Sequence, residues 1–326
     1  MGQRCRACSG GSTNRHSAGD RWQARRSRLG DGAAVTRGFI ENKTERLAIE
    51  QTLVRVLYDD RNLYVAFECL EPDPNGILAT ERKDDRRMRS DDQVEVWLDT
   101  FHDHRCAYLF RTNPLGMRYD SRFGLFRPDE SWDCQWQVAC RVGADRWVAE
   151  LAIPIEHLLF DREDQVIWGV NFRRVEKGRQ ENSSWVYNRQ RFTRPRDFGH
   201  LTGLDFSQVN VPPRPSFETC VSDTADFERG ENEVSTGVDV ALRLNPQVTS
   251  AFTINPDFGQ VEADPDTIEL RDTERFLQER RPFSREGGEL FETPLNIYYS
   301  RRLTDIDAGA KVTGQSKDWA FGLIDV

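Results

Sequence analysis

The chain has 326 residues, 37% apolar and 30% charged, with 45 basic against 54 acidic side chains and a net charge of −9. That length supplies two ordinary domains, and a 10% aromatic content excludes wholesale disorder. The acidic excess offers no basic surface to nucleic acid, and no run reaches the roughly 18 apolar residues of a transmembrane helix.

Residues 1–37 are rich in Arg, Ser and Gly and lack an apolar stretch, so they read as a disordered or misassigned leader and show no signal peptide. Cys5 and Cys8 form a CxxC without a second half-site, which argues against zinc there. The seven cysteines are scattered and outline no disulfide framework; Cys69 and Cys106 sit in apolar patterns and read as small core residues.

Strands are expected over 54–58 and 63–69, joined by the turn Asp59, Asp60, Arg61, Asn62. The charged stretch 79–90 is a loop or a short helix. Alternation returns over 93–99, 107–113, 147–153 and 166–173, with Pro154 stopping the third of these, one helical turn at 155–160 and a closing strand at 198–204. Seven or more short strands imply an all-β fold, an antiparallel, jelly-roll-like β-sandwich over 38–206. Pro212, Pro213 and Pro215 mark a linker at 207–216. Within 217–326, segments 236–244, 247–255, 295–303, 308–315 and 319–326 alternate over about nine residues each, the length of membrane β-barrel strands; an ordinary soluble sheet is the alternative.

Alternate residues of a strand share a face. If Val94, Val96 and Leu98 point inward, Glu95, Trp97 and Asp99 point outward. The same logic puts Arg111 and Asn113, then Asn171 and Arg173, on that outward face. Carboxylate, guanidinium and amide groups hydrogen-bond sugar hydroxyls, and an aromatic ring stacks on the C–H face of a pyranose. Trp132, Trp136 and Trp185 lie in or near loops and are candidate platforms, whereas Trp147 and Trp168 read as packing. The plainer reading is that Glu95 and Arg111 form a cross-strand ion pair on a solvated face.

Five segments carry a specific resemblance: 91–101 (DDQVEVWLDTF), 108–116 (YLFRTNPLG), 147–154 (WVAELAIP), 168–174 (WGVNFRR) and 198–201 (FGHL). In this order they resemble carbohydrate-binding modules of family 9, over about residues 41–206. The resemblance implies a Glu, an Arg, amides and two tryptophans holding a saccharide, carried here by Glu95, Arg111 and Asn171. It also implies structural calcium, for which Asp59 and Asp60, or Asp84 and Asp85, are candidates. Residues 255–265 (NPDFGQVEADP), 279–283 (ERRPF) and the pair Glu286, Gly287 resemble an uncharacterised bacterial family in which such a module precedes an outer-membrane β-barrel. That implies carbohydrate catabolism at the cell envelope, in the periplasm or outer membrane. About five amphipathic strands are too few for a closed barrel, which needs about eight, so a truncated member is expected.

Catalysis has little support. Glycoside hydrolysis needs two carboxylates flanking one bond, and any pair among 54 acidic residues arises by chance. No GxSxG, HExxH or P-loop sequence is present, and the five histidines are dispersed. The rivals are an enzyme hydrolysing O-glycosyl bonds and a haem-binding sandwich using Met88 or Met117 as axial ligand.

Overall fold

A computed structural model describes residues 4–6, 8–9, 34–36, 38–124, 128–130, 132–163, 165–187, 194–207, 209, 211, 213–226, 231–255, 282–285, 287–291 and 306–326. The chain divides into two compact units, 1–210 and 211–326.

The first unit contains strands β1 (Arg4–Arg6), β2 (Cys8–Ser9), β3 (Ala34–Thr36), β4 (Ile40–Glu41), β5 (Thr52–Tyr58), β6 (Asn62–Leu70), β7 (Gln93–Asp99) and β8 (Ala107–Thr112). It continues with β9 (Arg118–Phe123), β10 (Pro128–Asp129), β11 (Gln137–Val142), β12 (Arg146–Pro154), β13 (Val166–Glu176), β14 (Glu181–Ser184) and β15 (Gly199–Leu204). One sheet runs β1-β15-β13-β7-β8-β9-β10, with β14 and β4 beside β13; the other runs β11-β12-β6-β5-β2, with β3 on β5. Pairing is antiparallel except for β1 on β15 and β2 on β5. Short strands therefore occupy three stretches of the expected leader, and β9, β11 and β14 are strands that the alternation did not mark. Segment 79–90 forms turns rather than a helix, while residues 155–157 form the expected single helical turn.

The two sheets bury alternate residues against each other. Val94, Val96 and Leu98 of β7 and Val170 and Phe172 of β13 face Val54, Val65, Phe67 and Leu151 of the other sheet, and all are fully buried. The rings of Phe67 and Phe172 meet edge to face at 5.8 Å across the interface. Burying a side chain of this size contributes about 1.5–3 kcal/mol, so the alternation fixes which residues remain on the outward faces.

The second unit is one antiparallel sheet in the order β16 (Arg214–Asp226), β17 (Glu231–Asn245), β18 (Val248–Ile254), β19 (Ala308–Gln315) and β20 (Ala320–Asp325). The expected linker is shorter than the prolines suggested, because β16 begins at Arg214 and takes Pro215 into an edge strand, where a missing N–H is tolerated. The sheet's polarity is inverted. Phe217, Val238, Phe252, Ile254 and Leu323 lie on one face and are exposed, while Asp239, Thr253, Lys311, Thr313 and Gln315 lie on the other and are buried. On the polar face, Phe283 packs beneath the Lys311 ammonium, 5.1 Å from the ring centre. Among the described residues the sheet does not close on itself. The expected strand at 295–303 and most of the 255–283 signature lie outside the described residues.

Candidate functional site

Register builds a row of charge across three strands of the first sheet. Glu95 on β7 lies opposite Arg111 on β8 and opposite Arg173 on β13, and Arg111 lies opposite Tyr119 on β9. Residues in register share a face, so all four point outward, away from the sandwich core. The Glu95 carboxylate is fully buried beneath the row. Its Oε1 accepts from Arg111 Nε at 3.0 Å and from Arg173 at 3.2 Å, and its Oε2 accepts from Trp97 Nε1 at 2.9 Å. Burial pushes the Glu95 carboxyl up, but the charges of Arg173 and Arg111 and the indole N–H outweigh it and hold the group below the ordinary range. Arg111 also donates to the Arg87 carbonyl at 3.0 Å and lies over the Tyr119 ring, 4.8 Å from its centre. The two arginine side chains keep 14% and 15% of their exposure while the carboxylate keeps none, and Arg173 also donates to Asn182 Oδ1 at 3.3 Å.

The next row is apolar. Trp97 lies opposite Leu109 and Asn171, and packs in a cluster with Met88, Leu109, Tyr119 and Phe198. The Trp97 ring meets Phe123 at 4.7 Å and is buried, so here it serves as a floor beneath covering loops rather than an open platform. The same cluster takes up Met88 and Met117, the methionines considered as haem ligands.

The other site candidates separate from this face or are occupied within the fold. Asn113 is buried, with Nδ2 donating to Asp91 at 2.8 Å and to the Glu81 carbonyl at 3.0 Å, and Oδ1 accepting from Leu115 N and Met117 N. An amide with both donors and its oxygen so used fixes segment 78–92, and leaves little for a ligand. Asn171 pairs with the backbone of Val186 in both directions, at 3.0 and 2.9 Å, acting as an additional strand residue. Trp136 and Trp185 are buried on the inward side, against Phe110 and Phe172, and Trp132 packs on Tyr108. Trp136 also donates to Asp120 at 2.9 Å. Loop position suggested exposure for these tryptophans; their area drives Trp136 and Trp185 into the core instead, and leaves Trp132 half-buried against Tyr108.

Asp59 closes the β5–β6 turn, its carboxylate accepting from Arg61 N and Asn62 N at 2.7 Å and from the Tyr64 hydroxyl at 3.1 Å; Asp60 is exposed. Asp84 pairs with Arg118. The oxygen-rich group among the described residues is Asp85, Asp120 and Asp133, with ligand atoms within 4.8 Å of one another, a donor set that fits a hard cation such as calcium. Burial pushes the Asp120 carboxyl to about 7, and the neighbouring Asp133 adds to it.

Sequence reading missed Tyr119, although Tyr119, Ser121 and Phe123 alternate as a strand should. Residues 212–318 match a domain of unknown function (DUF5916). No curated protein matches the chain. Among solved structures, a candidate carbohydrate-binding protein from Bacteroides uniformis is similar at 18% identity and a TM-score of 0.52, covering 62% of this chain and 99% of that one. Family 9 carbohydrate-binding modules from Caldicellulosiruptor kristjanssonii, solved with cellotriose and with glucose, are similar at 16% identity with TM-scores of 0.42 and 0.44. They cover 61% and 64% of this chain and 92% and 100% of theirs. The first of these likenesses shows a shared fold.

Proposed function

We propose that the first unit is a non-catalytic carbohydrate-binding module whose saccharide rests over the outward face of the first sheet. The observation that carries this reading is the row Arg173, Glu95, Arg111: a buried carboxylate holds two guanidinium groups side by side on the outward face, each side chain partly exposed. Guanidinium N–H groups fixed in direction are suited to vicinal sugar hydroxyls, and a carboxylate that stays ionised keeps them fixed. The family 9 resemblance falls on Glu95 and Arg111 of this row, and the shared fold with a candidate carbohydrate-binding protein supports the same reading. A glycan array probed with the full chain tests it. Binding to one class of saccharide, weakened by Arg111→Ala and by Arg173→Ala, is expected. Losing one charged hydrogen bond costs about 1.5–3 kcal/mol, roughly tenfold to a hundredfold in affinity. No binding to any glycan would overturn it.

For the second unit, the inverted sheet favours a membrane role. An apolar face turned outward and a polar face turned inward is the polarity of an outer-membrane barrel wall. The exposed pair Trp319 and Phe321, stacked at 5.6 Å, suits the aromatic girdle of such a wall. The module would then stand at the cell envelope and serve carbohydrate catabolism there. Full chain mixed with liposomes should float with them and withstand an alkaline wash; recovery as a dispersed protein in the supernatant would count against this.

A further inference from the structure

Three of the five histidines, dispersed in sequence, meet at one end of the outward face. Asp99 ends β7 on the same side as Glu95 and Trp97. It lies opposite Gly169 on β13, and Gly169 lies opposite His200 on β15. Glycine leaves a gap in this row, and the Asp99 side chain leans into it: a Cβ on Gly169 would stand 3.0 Å from the Asp99 Cβ. The turn after β7 folds back over the gap. His102 and His104 both adopt left-handed backbone, with φ of 51° and 62°, and Asp99 fastens the turn by accepting from Asp103 N at 3.2 Å and His104 N at 2.9 Å.

The result is a compact donor set. Ligand atoms of Asp99, His102 and His104 all lie within 4.8 Å of one another. The His102 ring stands 4.4 Å from that of His104 and 4.8 Å from that of His200. Asp99 is almost wholly buried, whereas the His104 side chain is 45% exposed, which leaves an entry path.

We propose that Asp99, His102 and His104, with His200 as fourth donor, form a binding site for a borderline divalent transition metal of the zinc type. Two or three imidazoles with one carboxylate select zinc, copper or nickel over calcium and magnesium, which prefer all-oxygen shells. Metal–ligand bonds of about 2.0–2.1 Å place tetrahedral donors about 3.4 Å apart, so small rotations of the imidazoles close the set. The backbone bonds from Asp103 N and His104 N orient the carboxylate from behind. The metal would tie β7, the turn after it and β15 into one unit.

The test uses full chain without a polyhistidine tag, stripped with chelator and titrated with zinc chloride against a chromophoric chelator. One equivalent should bind in the micromolar range or tighter, with a saturating rise in Tm. Cobalt(II) in its place should give the intense visible absorption of a four-coordinate centre, undiminished by excess calcium. The double variant His102→Asn/His104→Asn keeps side chains that tolerate left-handed backbone, and should bind at least a hundredfold more weakly with its calcium- and zinc-free Tm little changed. His200→Asn removes a donor and should weaken binding by about tenfold or more, because altering even the groups behind metal ligands typically costs about 10–100-fold. No saturable zinc binding by the wild-type chain, equal affinity in the double variant, or displacement of cobalt by calcium would each overturn the proposal.

Discussion

Glu95→Gln isolates what the buried carboxylate does, because it removes one charge and keeps the shape. Arg111 and Arg173 would then face each other across an amide, with 14% and 15% of their side-chain surface left to water. Removing one partner of a buried pair costs about 3–5 kcal/mol, and partial solvation of the arginines places this case near the lower bound. A loss of about 3 kcal/mol corresponds to a fall in Tm of about 6–12 °C for a domain of this size. The pH dependence adds a second readout. The folded Glu95 carboxyl lies below its ordinary value of 4.5, so the unfolded chain takes up this proton first as pH falls. Its stabilisation is complete above 4.5 and disappears as pH drops through the lower folded value. The assay is urea denaturation at pH 7 and at steps below 5, wild type beside Glu95→Gln. A loss under about 1 kcal/mol at pH 7, or an acid limb unchanged in the variant, would refute the account of a buried anchor.

Glu176→Gln should act in the opposite sense. Burial, with repulsion from Glu181 and Glu71, raises the Glu176 carboxyl to about 7 despite its ion pair with Arg174; wild type should lose stability as pH rises from about 4.5 to 7, and the variant should lose less, as read from Tm against pH. Asn171→Ala should remove both hydrogen bonds to Val186 and cost about 1–3 kcal/mol in denaturant, a partly buried backbone N–H and C=O losing their partner. Trp136→Phe should cost comparable stability yet leave saccharide affinity within twofold, since its indole bonds Asp120 on the inward side; a selective loss of binding would return Trp136 to the site.

The outward row was legible because period-two alternation and register are local properties. Once Val94, Val96 and Leu98 are buried, Glu95 can only face outward, and Arg111 and Arg173 follow on the neighbouring strands. The amides were not legible. Whether Asn113 or Asn171 meets a ligand or a backbone depends on where segments 78–92 and 186 return, which no strand pattern contains. Trp136 and Trp185 were not legible for a related reason: a large ring in a loop is buried by whichever surface the loop crosses, and both cross the core side. The histidines met through Gly169, whose missing side chain has meaning only once β7, β13 and β15 are neighbours.

Burial in the sandwich also sets the chemistry of its sulfur. Burial pushes the Cys69 thiol to about 12 and the Cys140 thiol to about 11, and moves Cys134 in the same direction. Thiol–disulfide exchange begins with a thiolate, and a group of pKa about 12 is ionised in roughly one molecule in a hundred thousand at pH 7. At these three positions the folded chain therefore offers almost nothing for an oxidant, an oxidoreductase or an alkylating reagent to attack. Reactivity there would report the opening of the sandwich, which makes the native sulfur a built-in gauge of unfolding.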